Sequence, residues 1–336
     1  SSYSVVIQTS DGSSTYSKTF TIAVNNTNDS PTDISLSQTV FFEGIVSGST
    51  LATITTTDQD TADTHTFTLV SSGDAQDDDN ASFTVSGTSL ITNDTLDFET
   101  KSTYALYLEV NDGTRQYTEA FSLTVSDTND TAPTAIGLST TTFAEDIASG
   151  SVIATLSATD IDTASLNSFS YSLVSGDGIN DASNSKFIIS GNTLVTSGTF
   201  DYETAASHAI YLQVNDGANT FNQAFTLSIT DQNDAPTDIT LSANAVDENL
   251  ASGTVVGGLS TTDVDSGDTF TYTLVGGGSD NDRFSISGTN LVTAAELDFE
   301  TKNSYSVVIQ TSDGMDSYQE AFTITIDDLN EAPTDI

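Results

Sequence analysis

Cysteine and tryptophan are both absent from the 336 residues, and basic side chains nearly so: 6 Lys or Arg stand against 48 Asp or Glu, a formal charge of -42. The missing thiols exclude disulfide staples, thiolate zinc sites, iron–sulfur ligation and a cysteine nucleophile. With only 2 His, at His65 and His208, histidine-rich metal and acid–base sites are excluded as well. So lopsided a charge repels phosphate backbones and anionic lipid, which disfavours nucleic acid and membrane surfaces and favours divalent cations. No apolar run approaches the roughly 18 residues of a spanning helix. The chain opens at Ser1 without an initiator Met, a basic stretch or an apolar leader, and is expected to be a segment of something longer.

What is present is repetition. The run Ser2–Gly12 returns unchanged as Ser304–Gly314, and proline joints recur at Pro31, Pro133, Pro236 and Pro333, roughly one hundred residues apart. The implied organisation is a strand pair from a truncated repeat at 1–30, repeats at 31–131, 132–234 and 235–332, and the start of a further repeat at 333–336. A strand pair alone makes no sandwich. Hydrophobic residues at 36%, with 17 Phe and 11 Tyr, suffice for cores in the complete repeats.

Each repeat consists of short alternating segments separated by Gly, Asn, Asp and Ser. Tyr104, Leu106, Leu108 and Val110 alternate with Ala105, Tyr107 and Glu109, the period of a half-buried strand. About seven strands per repeat are predicted, in the first near 34–37, 40–43, 51–57, 66–70, 83–86, 104–110 and 117–125, with a short one at 90–91. The predicted class is all-β: tandem Greek-key sandwiches of two packed antiparallel sheets.

The acids recur at fixed offsets. Glu43, Glu145 and Glu248 come first, then the Asp-x-Asp sets Asp58 and Asp60, Asp160 and Asp162, Asp263 and Asp265. Acids flank an aromatic at Asp97 and Glu99, Asp201 and Glu203, Asp298 and Glu300. Asp-Gly follows a strand at Asp112, Asp216 and Asp313, and the joints carry Asp127, Asn129 and Asp130; Asp231, Asn233 and Asp234; Asp328, Asn330 and Glu331. Strand ends of a sandwich gather at its poles, so these carboxylates converge and repel unless a hard cation joins them. Calcium takes six to eight oxygens, whereas zinc prefers the nitrogen and sulfur missing here.

These offsets resemble the cadherin repeat, through the base Glu43, the Leu-Asp-x-Glu motifs at Leu96–Glu99 and Leu297–Glu300, and the Asp-x-Asn-Asp linkers at Asp127–Asp130 and Asp231–Asp234. The composition looks like bacterial cadherin-like modules of large surface adhesins. The resemblance implies domains joined end to end by calcium-binding linkers. At the first full joint it implies an outer ion on Glu43, Asp97, Glu99 and Asp130. A middle ion would take Glu43, Glu99, Asp127, the Thr128 carbonyl, Asp130 and Asp162, and an inner ion Asn129, Asp160, Asp162 and Asp216. It implies the same roles for Glu145, Asp201, Glu203, Asp231, Gln232, Asn233, Asp234, Asp263, Asp265 and Asp313 at the second. The third set is Glu248, Asp298, Glu300, Asp328, Asn330 and Glu331, and Asp29, Asp58, Asp60 and Asp112 belong to the joint after the opening strand pair. The sequence departs from the pattern at Thr131, at Phe200, and at Asn26, which stands where the joints have Asp127 and Asp231. Without the Trp that the family's animal adhesive tips exchange, homophilic adhesion is not implied.

His65 occupies the position of Phe169 and Phe270, and His208 that of Tyr104 and Tyr305, so both read as framework aromatics replaced by His rather than catalytic groups. No enzyme is predicted. Asp74, Asp77, Asp78 and Asp79, and Asp280 and Asp282 after Gly276–Gly278, read as solvated loop acids. The expected function is a calcium-rigidified extracellular extender or filament segment supporting adhesion, its partners being calcium and neighbouring repeats. The alternative is an adhesive module binding glycans, through tyrosines such as Tyr107 and Tyr211, or a homotypic partner.

Overall fold

A computed structural model describes residues 1–166 and 168–332; the expected start of a further repeat at 333–336 lies outside the described residues. The alternation in sequence becomes an alternation in burial. Along Thr103–Asn111, Tyr104, Leu106, Leu108 and Val110 are buried while their neighbours are not. The same register buries His208, Ile210, Leu212 and Val214 in Ser207–Asn215, and Tyr305, Val307, Ile309 and Thr311 in Ser304–Ser312. Successive strand side chains face opposite sides, so four buried residues line one sheet face, each large apolar one contributing about 1.5–3 kcal/mol.

In the first repeat one sheet runs Asp33–Leu36, Thr50–Thr57, Ser89–Thr92, Phe83–Ser86. The other runs Val40–Phe42, Gln116–Ser126, Thr103–Asn111, Thr66–Leu69, and the same order recurs in the next two repeats. The short segment at 90–91 is thus a full strand, Ser89–Thr92, paired on both sides. The expectation of purely antiparallel sheets is corrected. Val40–Phe42 pairs parallel with the end of Gln116–Ser126, as do Thr142–Ala144 with Thr220–Thr230 and Ala245–Asp247 with Ser317–Asp327. After Leu36 the chain changes sheets without reversing, so it meets the last strand in the same direction.

Two compact units divide the chain, one comprising Ser1–Ala135, Ala158–Ser170 and Val214–Phe221, the other Ile136–Ser157, Tyr171–Gln213 and Asn222–Ile336. The first holds a core around Phe41, Leu90, Leu106, Leu108 and Leu123. The second holds one around Ile239, Leu291, Val307, Ile309 and Ile324. It also holds an edge-to-face cluster in which Phe200 meets Phe143 at 4.8 Å and His208 at 5.2 Å. Strands Ser2–Ser10 and Thr15–Ala23 form a separate two-stranded sheet with every residue exposed.

The loops that carry Asp79 and Asp280 are more than solvated acids. Asp79 Oδ2 accepts the N–H of Ala105 at 2.8 Å and its other oxygen pairs with Lys101, while Asn80 bridges Tyr107 N–H and the Val70 carbonyl. Asp280 and Asn281 repeat this with Ser306, Lys302, Val308 and Val275. The solvated-loop expectation therefore fails at Asp79 and Asp280, whose carboxylates anchor the loop to the strands Thr103–Asn111 and Ser304–Ser312. Asp78 is exposed as expected.

Candidate metal centres

The base glutamates tie each pole together. Glu43 Oε2 accepts the N–H of Phe98 at 2.8 Å, and Oε1 accepts the Thr128 N–H at 2.6 Å and its hydroxyl at 3.0 Å. Glu145 does the same for Tyr202 and Gln232, and Glu248 for Phe299 and Leu329. One carboxylate thus joins the strand start, the acid–aromatic–acid turn and the linker. Two donors at Glu145 and Glu248, and three at Glu43, leave further oxygen lone pairs for a cation. Asp97, Asp201 and Asp298 cap the turn that follows them, accepting the N–H of Thr100, Thr204 and Thr301.

Around this tie the acids converge. In the first unit carboxylate oxygens of Glu43, Asp97 and Glu99 lie within 4.8 Å of one another, as do those of Glu99, Asp130 and Asp162. In the second unit the groups are Glu145, Glu203 and Asp231, then Glu203, Asp234 and Asp265. Glu43, Asp97, Glu99 and Asp130 line a cleft of about 370 Å³ together with Leu96 and Ile161. Deeper in, Asp127 Oδ2 accepts the Thr163 N–H at 2.6 Å, and Asn129 donates its amide to the Asp216 carbonyl at 3.1 Å.

Electrostatics record the crowding. Burial, reinforced by Glu43 and Asp127, pushes the Glu99 carboxyl up to about 7. Burial and Asp160 raise Asp162, while burial with Glu145 raises both Glu203 and Asp234. These are like charges held close in partly dry surroundings, and a cation held there would remove the conflict.

The chemistry of the donor set fits calcium. Buried side-chain oxygens with no hydrogen-bond partner include Glu99 Oε1, Asp127 Oδ1, Asn129 Oδ1, Asp160 Oδ2 and Asp216 Oδ2 in the first unit. In the second they include Asp263 Oδ2, Asp265 Oδ1 and Asp268 Oδ2. A buried unpaired oxygen is costly, and here each cluster offers oxygen alone. The third set is looser: Glu248 is fully buried, but Asp328 and Asn330 are exposed and Glu331 accepts from the Asn249 amide. Asp29 is also exposed; its N–H, not its carboxylate, reaches Asp60 Oδ2 at 2.6 Å.

Two acids escaped the sequence reading. Asp63 lies with Asp58 and Asp112 within the same 4.8 Å limit, and Asp268 projects a buried oxygen beside Asp263 and Asp265. The available signal was position: both stand two residues before the aromatic slot filled by His65 and Phe270. His65 is no simple framework aromatic either, because its Nε2 lies 2.9 Å from Asp58 Oδ2. His208 does fill the framework slot, buried against Phe187 and Phe200. Tyr107 and Tyr211 are half-buried, not exposed, and the Tyr107 hydroxyl is bonded to Thr118.

The family model for the cadherin domain matches residues 243–327. The solved structure titled protocadherin gammaB7 EC3-6 cis-dimer superposes with a TM-score of 0.57 at 22% identity, covering 89% of this chain and 74% of that one. The tandem repeats share the Greek-key sandwich fold of cadherin domains. Human Protocadherin-23 is 27% identical over 248 residues, 70% of this chain and 7% of that protein. Mouse Protocadherin Fat 4 is 34% identical over 192 residues, 53% of this chain and 4% of that protein. The chain thus spans less than a tenth of the curated relatives it matches. Cadherin domains, such as the one matched at 243–327, are structural adhesion modules and not enzymes. These relatives are mammalian and lend no support to the narrower likeness to bacterial adhesins. Among the described residues no helix is long and apolar enough to cross a membrane.

Proposed function

We propose that this chain is part of an extracellular, calcium-dependent adhesive array, with repeats at 31–131, 132–234 and 235–332, whose partner is a second copy of the array. The observation that carries the calcium reading is the set of buried, unpartnered oxygens on Glu99, Asp127, Asn129, Asp160 and Asp216. They come from one repeat, its linker and the next repeat, so a shared calcium ties those segments together and removes hinge freedom. Calcium supplies the positive charge. Glu43, Asp97, Glu99, Asp127, Asp130, Asp160, Asp162 and Asp216 hold it at the first full joint, and Glu145, Asp201, Glu203, Asp231, Asp234, Asp263, Asp265 and Asp313 at the second.

Stiff joints serve a passive extender and an adhesive array alike. The likeness to protocadherins, one of them solved as a cis-dimer, supports the adhesive reading over the extender. The absence of Trp removes only one way of pairing. A homotypic partner is favoured over glycans, because Tyr107 and Tyr211 are half-buried and offer little platform for a sugar.

Beads coated with the chain test this directly. Clumping in calcium that chelator reverses supports the adhesive array. Dispersed beads with a calcium-dependent change in small-angle scattering return the function to the extender, and no calcium response in either measurement sinks the calcium reading.

A further inference from the structure

The three Asp-x-Asp pairs are built alike in one respect. Asp58, Asp160 and Asp263 each use Oδ1 to accept the N–H two residues on, from Asp60 at 2.9 Å and from Asp162 and Asp265 at 3.1 Å. Their second oxygens differ. Oδ2 of Asp160 and of Asp263 is buried without a hydrogen-bond partner, and a cation is the natural occupant of the space it faces. Oδ2 of Asp58 is instead met by His65 Nε2 at 2.9 Å, with the Asp58 side chain only 3% exposed. Phe169 and Phe270 fill the corresponding slot in the other repeats and have nothing to donate.

A second nitrogen acts nearby. The Asn26 amide donates to Asp60 Oδ1, and Asn26 stands where the other joints have Asp127 and Asp231. An acid at that position cannot make this bond; it adds repulsion that a cation must settle. The Asn28 amide also reaches Asp112 Oδ2, at 2.8 Å, but Asn233 makes the same contact to Asp313 at 3.2 Å, so that bond does not set the first joint apart. His65 and Asn26 do. The His65 hydrogen bond is also the largest influence holding the Asp58 carboxyl below its ordinary range.

We propose that His65 is a built-in plug of the inner cation site at the first Asp-x-Asp pair, so that Asp58, Asp60, Asp63 and Asp112 bind calcium more weakly than their counterparts at Asp160 and Asp263. The inference rests on reading the joints as calcium sites and names the one the chain has partly closed to calcium. To gain Asp58 Oδ2 the cation must displace or share a charge-assisted hydrogen bond, which sets the expected weakening at roughly tenfold or more. Asp63, whose Oδ2 is buried and unpartnered, keeps the site from being abolished.

Calcium titration by calorimetry of the parent, His65→Phe and Phe270→His, with terbium luminescence as a second probe, tests the plug. His65→Phe installs the residue already tolerated at 169 and 270. It is expected to strengthen one site roughly tenfold and leave the others unchanged, while Phe270→His weakens one site of the Asp263 pair by a similar factor. Unchanged affinities in both variants overturn the plug while leaving the calcium reading intact. A loss of affinity in His65→Phe also overturns it, because His65 then orients Asp58 for the cation. No calcium binding by the parent overturns the calcium reading and this inference with it.

Discussion

Asn129 donates its side-chain amide to the main-chain carbonyl of Asp216 at 3.1 Å, and this bond leaves Asn129 Oδ1 and Asp216 Oδ2 both buried without a partner. Asp216 is fully buried, and its Oδ1 is spent on the N–H groups of Ala218 and Asn219. One oxygen therefore builds the turn and the other is left for a cation. Asp216→Asn keeps a turn acceptor but removes the charge, so calcium affinity at this joint should fall about tenfold or more with little change in calcium-free melting. Asp216→Ala should lower both, the melting temperature through about 1–3 kcal/mol of unsatisfied turn N–H groups. Calorimetry with and without chelator separates the two effects.

Asp162 and Asp78 make a second contrast. Asp162 lies with Glu99 and Asp130 in one oxygen cluster, whereas Asp78 is an exposed loop acid. Asp162→Ala is expected to remove at least one bound calcium from the titration and Asp78→Ala none. Equal stoichiometry in the two variants would show that the first full joint has been placed wrongly.

Glu99 gives the calcium-free protein a specific pH response. Its carboxyl is raised from 4.5 to about 7, so between these values the folded chain keeps a proton that the unfolded chain has lost. That contribution to stability is complete below about 4.5 and disappears as pH rises through about 7. In chelator, melting of the parent relative to Glu99→Gln should therefore decline between pH 5 and 8. Calcium, which displaces the proton, should bind more tightly across the same window.

His208 has the opposite sign. Burial between Phe187 and Phe200 lowers its affinity for a proton below the ordinary 6.5, while the unfolded chain binds one normally. Its contribution to stability is present above pH 6.5 and is lost as pH falls below it, by at most about 1.4 kcal/mol per pH unit. His208→Tyr, the residue found at 104 and 305, should flatten the acid limb of the melting profile. An identical pH profile in parent and variant would place the acid sensitivity elsewhere.

The repeat, the strand periodicity and the convergence of acids at the poles were legible because each depends on spacing along the chain. A residue that alternates, or that ends a strand, keeps that role wherever the strand packs. The parallel pairing of Val40–Phe42 was not legible, since it depends on which sheet the chain enters after Leu36. Nor were His65 against Asp58, Asp63 beside Asp112, or the anchoring of Asp79 and Asp280 to a neighbouring strand. Each joins positions whose distance only the packed sandwich determines.

Ser2–Ser10 and Ser304–Ser312 separate the two kinds of information. They are the same nine residues, and both are strands paired with the segment that follows. Val307 and Ile309 are fully buried and Tyr305 is 7% exposed, yet Val5, Ile7 and Tyr3 are 40%, 54% and 63% exposed. Backbone conformation, hairpin register and the choice of apolar face follow from the residues themselves, because local sterics and alternation suffice for them. Burial does not, because it needs an opposing sheet: Ile239, Val256 and Leu291 belong to the core that takes up Val307, and no such core stands over Val5.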